Sequence, residues 1–193
     1  MRVFLAGATG VIGIRVLPLL VDAGHAVAGM TRSPGKVAAL RERGAEPVVC
    51  DVFDPARLTE AVAAFAPDAV MHQLTDLPDQ RDELGRFAAG NDRMRTEGTR
   101  NLVAAAKAAG ASRFVAQSIA WRPRDRGHVV DLHEQQVLEF GGVVARYGQL
   151  YGPGTYYERE LPPHPRVHVD AAARATPPLL EAPTGIVTIA DPG

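Results

Sequence analysis

Apolar residues in this chain come in short blocks whose spacing alternates between strand-like runs and helical repeats, and that alternation predicts its elements in order. Val3-Phe4-Leu5-Ala6 is a continuous apolar run, the pattern of a strand buried on both faces. Val11, Ile12, Ile14, Val16, Leu17, Leu19 and Leu20 then recur at helical spacing up to Ala23-Gly24, where glycine is the natural stop; Pro18 in the interior is expected to bend this helix. A second strand from His25 to Thr31 leads into a helix that starts at Ser33-Pro34, runs through Val37 and Leu40 and closes at Gly44. Glu46 to Cys50 is a third strand, Asp54-Pro55 caps a helix through Leu58, Val62 and Phe65, and Ala69 to His72 is a fourth strand. Three βα units in so short a stretch demand a parallel sheet with right-handed crossovers.

The pattern loosens after His72. Residues 75 to 90 read as charged and irregular, and a long helix then carries Met94, Leu102, Ala105, Ala106 and Ala109 to Gly110. Arg113 to Ser118 is the fifth strand, Trp121 to Gly127 a polar, basic loop, Asp131 to Phe140 a short polar helix and Val143 to Tyr147 a sixth strand. Beyond Tyr151 glycines and prolines mark irregular chain; Arg166 to Val169 reads as one more strand, Ala171 to Leu180 as a helix interrupted by Pro177-Pro178, and Ile186 to Ile189 as the last strand.

Composition narrows the partners. The 193 residues, 46% of them hydrophobic, suffice for one well-buried core. A net charge of −1 gives no footprint for nucleic acid or an anionic membrane, so a small molecule is the expected partner. Cys50, the single cysteine, lies between Val49 and Asp51 and reads as a core residue in a reducing compartment. No apolar run approaches the roughly 18 residues of a membrane span, and Met1-Arg2 leads straight into a strand, so a cytoplasmic protein without signal peptide is expected.

The candidate chemistry begins at Gly7-Ala8-Thr9-Gly10-Val11-Ile12-Gly13, between the first strand and the first helix. Gly7 allows the tight turn, Gly10 lets backbone approach a phosphate, and Gly13 lets the helix pack on the strand; the amides of Thr9, Gly10, Val11 and Ile12 would then face a pyrophosphate. At the end of the second strand stand Thr31-Arg32-Ser33, with Lys36 one turn on, where an NAD site usually places a carboxylate. A guanidinium there suits a 2′-phosphate, so NADP is the expected cofactor and NAD the alternative; the competing reading is that Arg32 is a solvated loop residue.

Gly7 to Gly13, Asp51-Val52, Glu97-Gly98-Thr99-Arg100-Asn101-Leu102, Arg113-Phe114-Val115 through Ser118, and Arg146-Tyr147-Gly148-Gln149-Leu150-Tyr151-Gly152-Pro153-Gly154 occur in that order, and with them the chain resembles the extended short-chain dehydrogenase/reductases, the NAD-dependent epimerase/dehydratase family. His168-Val169-Asp170 resembles a later segment. The resemblance implies a Rossmann-type doubly wound parallel sheet in residues 1–154 that binds dinucleotide, with 155–193 a short C-terminal extension on the same domain, in place of a larger substrate region. It implies that Asp51 and Val52 meet the adenine end and that Gln73, Leu74, Thr75 and Ser118 line the ribose side. It also implies a homodimer through the helices flanking the fifth strand.

The family transfers protons with a Tyr-x-x-x-Lys pair on the helix after the fifth strand. Here Lys36 and Lys107, the only lysines, precede that strand, and the four tyrosines, Tyr147, Tyr151, Tyr156 and Tyr157, all follow the helix. The substitutes on offer are Ser118, His128, His133 and Tyr151 as catalytic groups, with Gln149 and Trp121 as substrate contacts; no metal is expected. His72 reads as a core histidine. The chain is thus expected to be an NADP-binding enzyme that reduces or oxidises a carbonyl or C=C bond of a small organic molecule with non-standard proton transfer. The alternatives are a derived isomerase, lyase or cyclase, and a non-catalytic dinucleotide sensor or subunit.

Overall fold

The computed structural model of the chain describes residues 1–193. In chain order its elements are β1 (Arg2–Ala6), α1 (Gly13–Asp22), β2 (Ala26–Thr31), α2 (Val37–Glu42), β3 (Glu46–Val49), α3 (Pro55–Phe65), β4 (Ala69–His72), α4 (Leu84–Arg93), α5 (Thr99–Ala108), β5 (Arg113–Ile119), α6 (Gly127–Phe140), β6 (Val143–Tyr147), β7 (Gln149–Tyr151), β8 (Arg166–His168), α7 (Val169–Ala175) and β9 (Gly185–Ile189). Seven strands form one parallel sheet in the order β3-β2-β1-β4-β5-β6-β9, and β7 and β8 make a separate parallel pair.

β1 explains why the sheet is covered on both sides. Its side chains alternate: Val3 and Leu5 enter a core with Val16, Leu17 and Leu20 of α1 and with Val169, Ala172 and Ala173 of α7. Phe4 and Ala6 enter the opposite core with Leu58, Val62 and Phe65 of α3 and Leu102, Ala105 and Ala106 of α5. Burying each large side chain contributes about 1.5–3 kcal/mol, so both helical layers are held by β1 and its neighbours. Residues 155–193 join this architecture through α7 in the first core and β9 beside β6.

Local signals set several boundaries. Asp54 caps α3, its carboxylate accepting from the Arg57 amide at 3.1 Å, with Pro55 at the first helical position. Pro18 is accommodated inside α1. Two expectations are corrected. The charged segment 75–90 is irregular only at first, because α4 begins at Leu84 and continues through a wide π turn, Met94–Gly98, into α5. The helix expected over 131–140 starts at Gly127 and has 14 residues, and its Val129, Val130, His133, Glu134 and Val137 are buried. Polar letters on its outer face masked that inner stripe.

Candidate functional site

Chain direction across the sheet reverses between β1 and β4, which leaves a crevice at the carboxyl ends of those strands where α/β proteins bind ligands. The turn after β1 is built to keep that crevice open. Gly7 has φ +87°, and a Cβ on it would lie 2.7 Å from the Gln73 carbonyl. A Cβ on Gly13 would stand 2.0 Å from the Gly7 carbonyl oxygen, so only glycine lets α1 start this close to the strand. Gly10 N–H donates to the Gly7 carbonyl at 3.0 Å and Ala8 N–H to the Met30 carbonyl at 3.2 Å, whereas the amides of Thr9, Val11 and Ile12 make no hydrogen bond. No side chain caps α1. Unspent amides at the positive end of a helix are the donor set an anion such as a pyrophosphate needs.

The other cofactor candidates surround this turn. Thr9 and Thr31 hydroxyls are 3.3 Å apart, and Thr31 Oγ1 accepts the Ser33 amide at 3.2 Å, which fixes the chain after β2. Arg32, half-exposed, makes a loose 3.5 Å contact with Asp76. Asp51 is exposed and accepts the Phe53 amide at 2.9 Å, while buried Val52 gives its carbonyl to Asn101 Nδ2 at 3.0 Å. The Gln73 amide donates to the Ala6 carbonyl at 2.8 Å. Thr176 Oγ1 donates to the Ala172 carbonyl at 2.8 Å, so it accepts from the Tyr147 hydroxyl, which in turn accepts from Gln73 Nε2 at 3.4 Å. Gln73 Oε1 is left buried with no partner. The Leu74 carbonyl accepts from Gln117 Nε2 at 3.1 Å, and Thr75 is exposed. These features fit a dinucleotide.

At the ends of β5 and β6 polar groups are spent on one another. Ser118 and Arg146 face each other in register across the two strands, and both reach Glu134 of α6. Ser118 Oγ donates to Glu134 Oε1 at 2.6 Å and Arg146 Nε to the same oxygen at 2.9 Å, while Arg146 Nη2 holds Oε2. Burial favours the neutral acid, yet the hydrogen bonds from Arg146 and Ser118 outweigh it and hold the Glu134 pKa below the usual carboxylate value. A second chain runs through the histidines. His133 Nε2 lies 2.8 Å from the Gln117 carbonyl, which can only accept, so Nδ1 is the acceptor for Thr99 Oγ1 at 2.8 Å. Thr99 then accepts from His72 Nε2 at 3.0 Å, and His72 Nδ1 takes the Leu74 amide at 3.2 Å. Burial lowers the His133 pKa to about 4 and pushes His72 well down, so both rings are neutral at pH 7.

These contacts bear on the catalytic candidates. His133 is buried with both nitrogens engaged, which corrects its reading as an acid–base group: desolvation keeps it neutral and no nitrogen is left for a substrate. The Ser118 hydroxyl proton is committed to Glu134. His128 is exposed in the first turn of α6. The Tyr151 hydroxyl donates to Asp191 at 2.8 Å, a bond that raises its pKa, and its ring packs edge-on against His168. Gln149 Nε2 donates to the Pro163 carbonyl at 2.9 Å and its Oε1 accepts from Tyr157, so its amide is tied to the loop before β8. Trp121 walls a cavity of about 190 Å³ at the end of β5, together with Ile119, Val130, Arg146 and the Arg122–Asp131 pair. Arg146 and Thr99 escaped the sequence as site residues. The legible signal was Glu134 itself, a carboxylate in helical register with Val130 and Val137, which has to find a buried partner.

Comparison with known proteins agrees with this geometry. The profile of a family described as NAD(P)H-binding matches residues 7–138. A Streptomyces protein named 3-diazoavenalumate denitrifying reductase is 39% identical over 186 residues, covering 83% of this chain and 60% of its own. The chain therefore spans about 60% of that relative's length. Photosystem II assembly factor Ycf39 of Synechocystis is 32% identical over 124 residues, 62% of this chain and 34% of its own. Among solved structures, UDP-glucose 4-epimerase of Thermotoga maritima superposes with TM-score 0.79 at 19% identity, over 98% of this chain and 77% of that one. The Bordetella bronchiseptica enzyme WbmH in complex with NAD+ gives 0.74 at 20%, over 98% and 75%. The chain belongs to the NAD(P)H-binding family, and it shares its Rossmann-type fold with UDP-glucose 4-epimerase.

Proposed function

We propose that this member of the NAD(P)H-binding family is an NADP-dependent reductase that passes hydride to a small organic acceptor requiring no proton from the protein. The observation that carries the reading is the crevice after β1, with three unspent amides, in a chain similar to a named reductase. The amides of Thr9, Val11 and Ile12 would take the pyrophosphate, and Asp51 with Val52 the adenine end. Gln73, Leu74 and Thr75 would border the ribose next to the reactive ring. Arg32 and Ser33 would take a 2′-phosphate; the exposed Arg32–Asp76 contact is weak enough to be exchanged for it. Bound there, a reduced nicotinamide supplies hydride.

The proton side is different. α6 carries neither tyrosine nor lysine. Ser118 is committed to Glu134, His133 is neutral and sealed, and burial pushes Tyr147 up to about 12 with its hydroxyl bound to Thr176. An acceptor that is already cationic takes up hydride without a proton: an aryl diazonium plus hydride gives the arene and dinitrogen. The Streptomyces relative is named as a denitrifying reductase of a diazo compound. Residues 1–154 are read as the dinucleotide-binding part, and a homodimer through α5 and α6 as the assembly, which light scattering of the purified chain tests directly.

The experiment is turnover with NADPH carrying deuterium at its reactive carbon, offered an aryl diazonium salt, an aldehyde or an enone in turn. The expected result is reduction of the diazonium, with deuterium from the cofactor and no hydrogen from solvent in the product. Binding of NADPH without turnover of any acceptor would overturn the reductase reading in favour of a sensor.

A further inference from the structure

The cavity at the end of β5 has a chemical character of its own. Arg146 meets Glu134 side-on through Nε and Nη2, so Nη1 makes no hydrogen bond, and the end-on edge formed by the two terminal nitrogens remains for a second planar acceptor. Trp121 supplies a flat wall, 40% exposed, and Ile119 and Val130 an apolar floor. Two ion pairs stand at the cavity, Arg122 with Asp131 and Arg146 with Glu134. A space of about 190 Å³ is smaller than the ~300–1,000 Å³ of drug-sized sites and suits a single ring with short substituents.

We infer that this cavity binds the carboxylate of a planar, single-ring aromatic acid, with the ring against Trp121 and the carboxylate on the end-on edge of Arg146. Glu134 and Ser118 hold the guanidinium still, which removes the entropy cost of ordering a long side chain at the moment of binding. The inference rests on the reductase reading and names the substrate class for it.

Trp121 is the only tryptophan, so its fluorescence reports this cavity and nothing else. Purified protein without cofactor is titrated with 4-hydroxybenzoate and with its amide, 4-hydroxybenzamide. The acid should quench Trp121 saturably and the amide at least about tenfold more weakly, as expected for loss of a charge-assisted pair. Arg146→Lys, which keeps a charge for Glu134 but loses the planar edge, should weaken the acid by a similar factor. Should that variant fail to fold, Val130→Phe, which fills the cavity and leaves the arginine in place, should abolish binding of the acid in calorimetry. Equal binding of acid and amide, or an acid that binds the variant unchanged, overturns the assignment. NADPH binding without any response to the acid overturns it too, while leaving the cofactor reading intact.

Discussion

At the end of β1 the backbone leaves the amides of Thr9, Val11 and Ile12 without partners, whereas at the ends of β5 and β6 Ser118, Glu134 and Arg146 bond one another and His133 bonds Thr99 and the Gln117 carbonyl. Both regions lie along the same carboxyl edge of one sheet. The first leaves backbone donors unspent, and the second leaves only the terminal edge of Arg146. The proposed reductase would rely on where it holds its reactants more than on acids and bases of its own.

Changes at either region should therefore fail in different observables. The largest effect is expected at the open turn. Gly13→Ala sets a methyl 2.0 Å from the Gly7 carbonyl oxygen, so NADPH affinity should fall by at least about 100-fold while the circular dichroism of the sheet persists. Retained affinity would separate the turn from the cofactor. Acid should act on the closed region next. His133 titrates at about 4 when folded against 6.5 when exposed, so the unfolded chain binds the extra proton first; stability is intact above pH 6.5 and falls as the pH drops towards 4. That loss amounts to about 3 kcal/mol, with His72 adding in the same direction. Urea melts across that range check it, and His133→Asn should flatten the decline.

Glu134→Ala would strand Arg146 and the Ser118 hydroxyl. Because Arg146 is about a third exposed, the cost should be about 2 kcal/mol, below that of a fully buried pair, read as a lower urea midpoint with NADPH affinity kept. The smallest change is at the rim: Arg32→Ala should weaken NADPH by about tenfold and leave NADH nearly unchanged. Equal weakening of both would remove the 2′-phosphate from Arg32.

The open region was legible in sequence because its signals are local. The glycine spacing, the strand before it and the amphipathic helix after it are contiguous, and the apolar runs that became β1, β2, β4 and β6 needed no partner to be read. The closed region was not, because its contacts join residues far apart: Ser118 and Arg146 meet only through strand register, and Thr99 reaches His72 and His133 only once α5 and α6 are stacked over β4. α6 was misread as short and polar, which hid the buried positions of His133 and Glu134. Gln149 and Tyr151, placed by motif alone, turn out to bond Pro163 and Asp191 in the segment that follows.

The central claim is that the turn from Gly7 to Gly13 is a dinucleotide cradle with a preference for the phosphorylated form. Titration of the purified chain with NADPH and with NADH, followed by nicotinamide fluorescence, tests it most directly. The account predicts saturable binding with NADPH the tighter; NADH binding as tightly as NADPH, or no binding of the two by millimolar concentration, would contradict it.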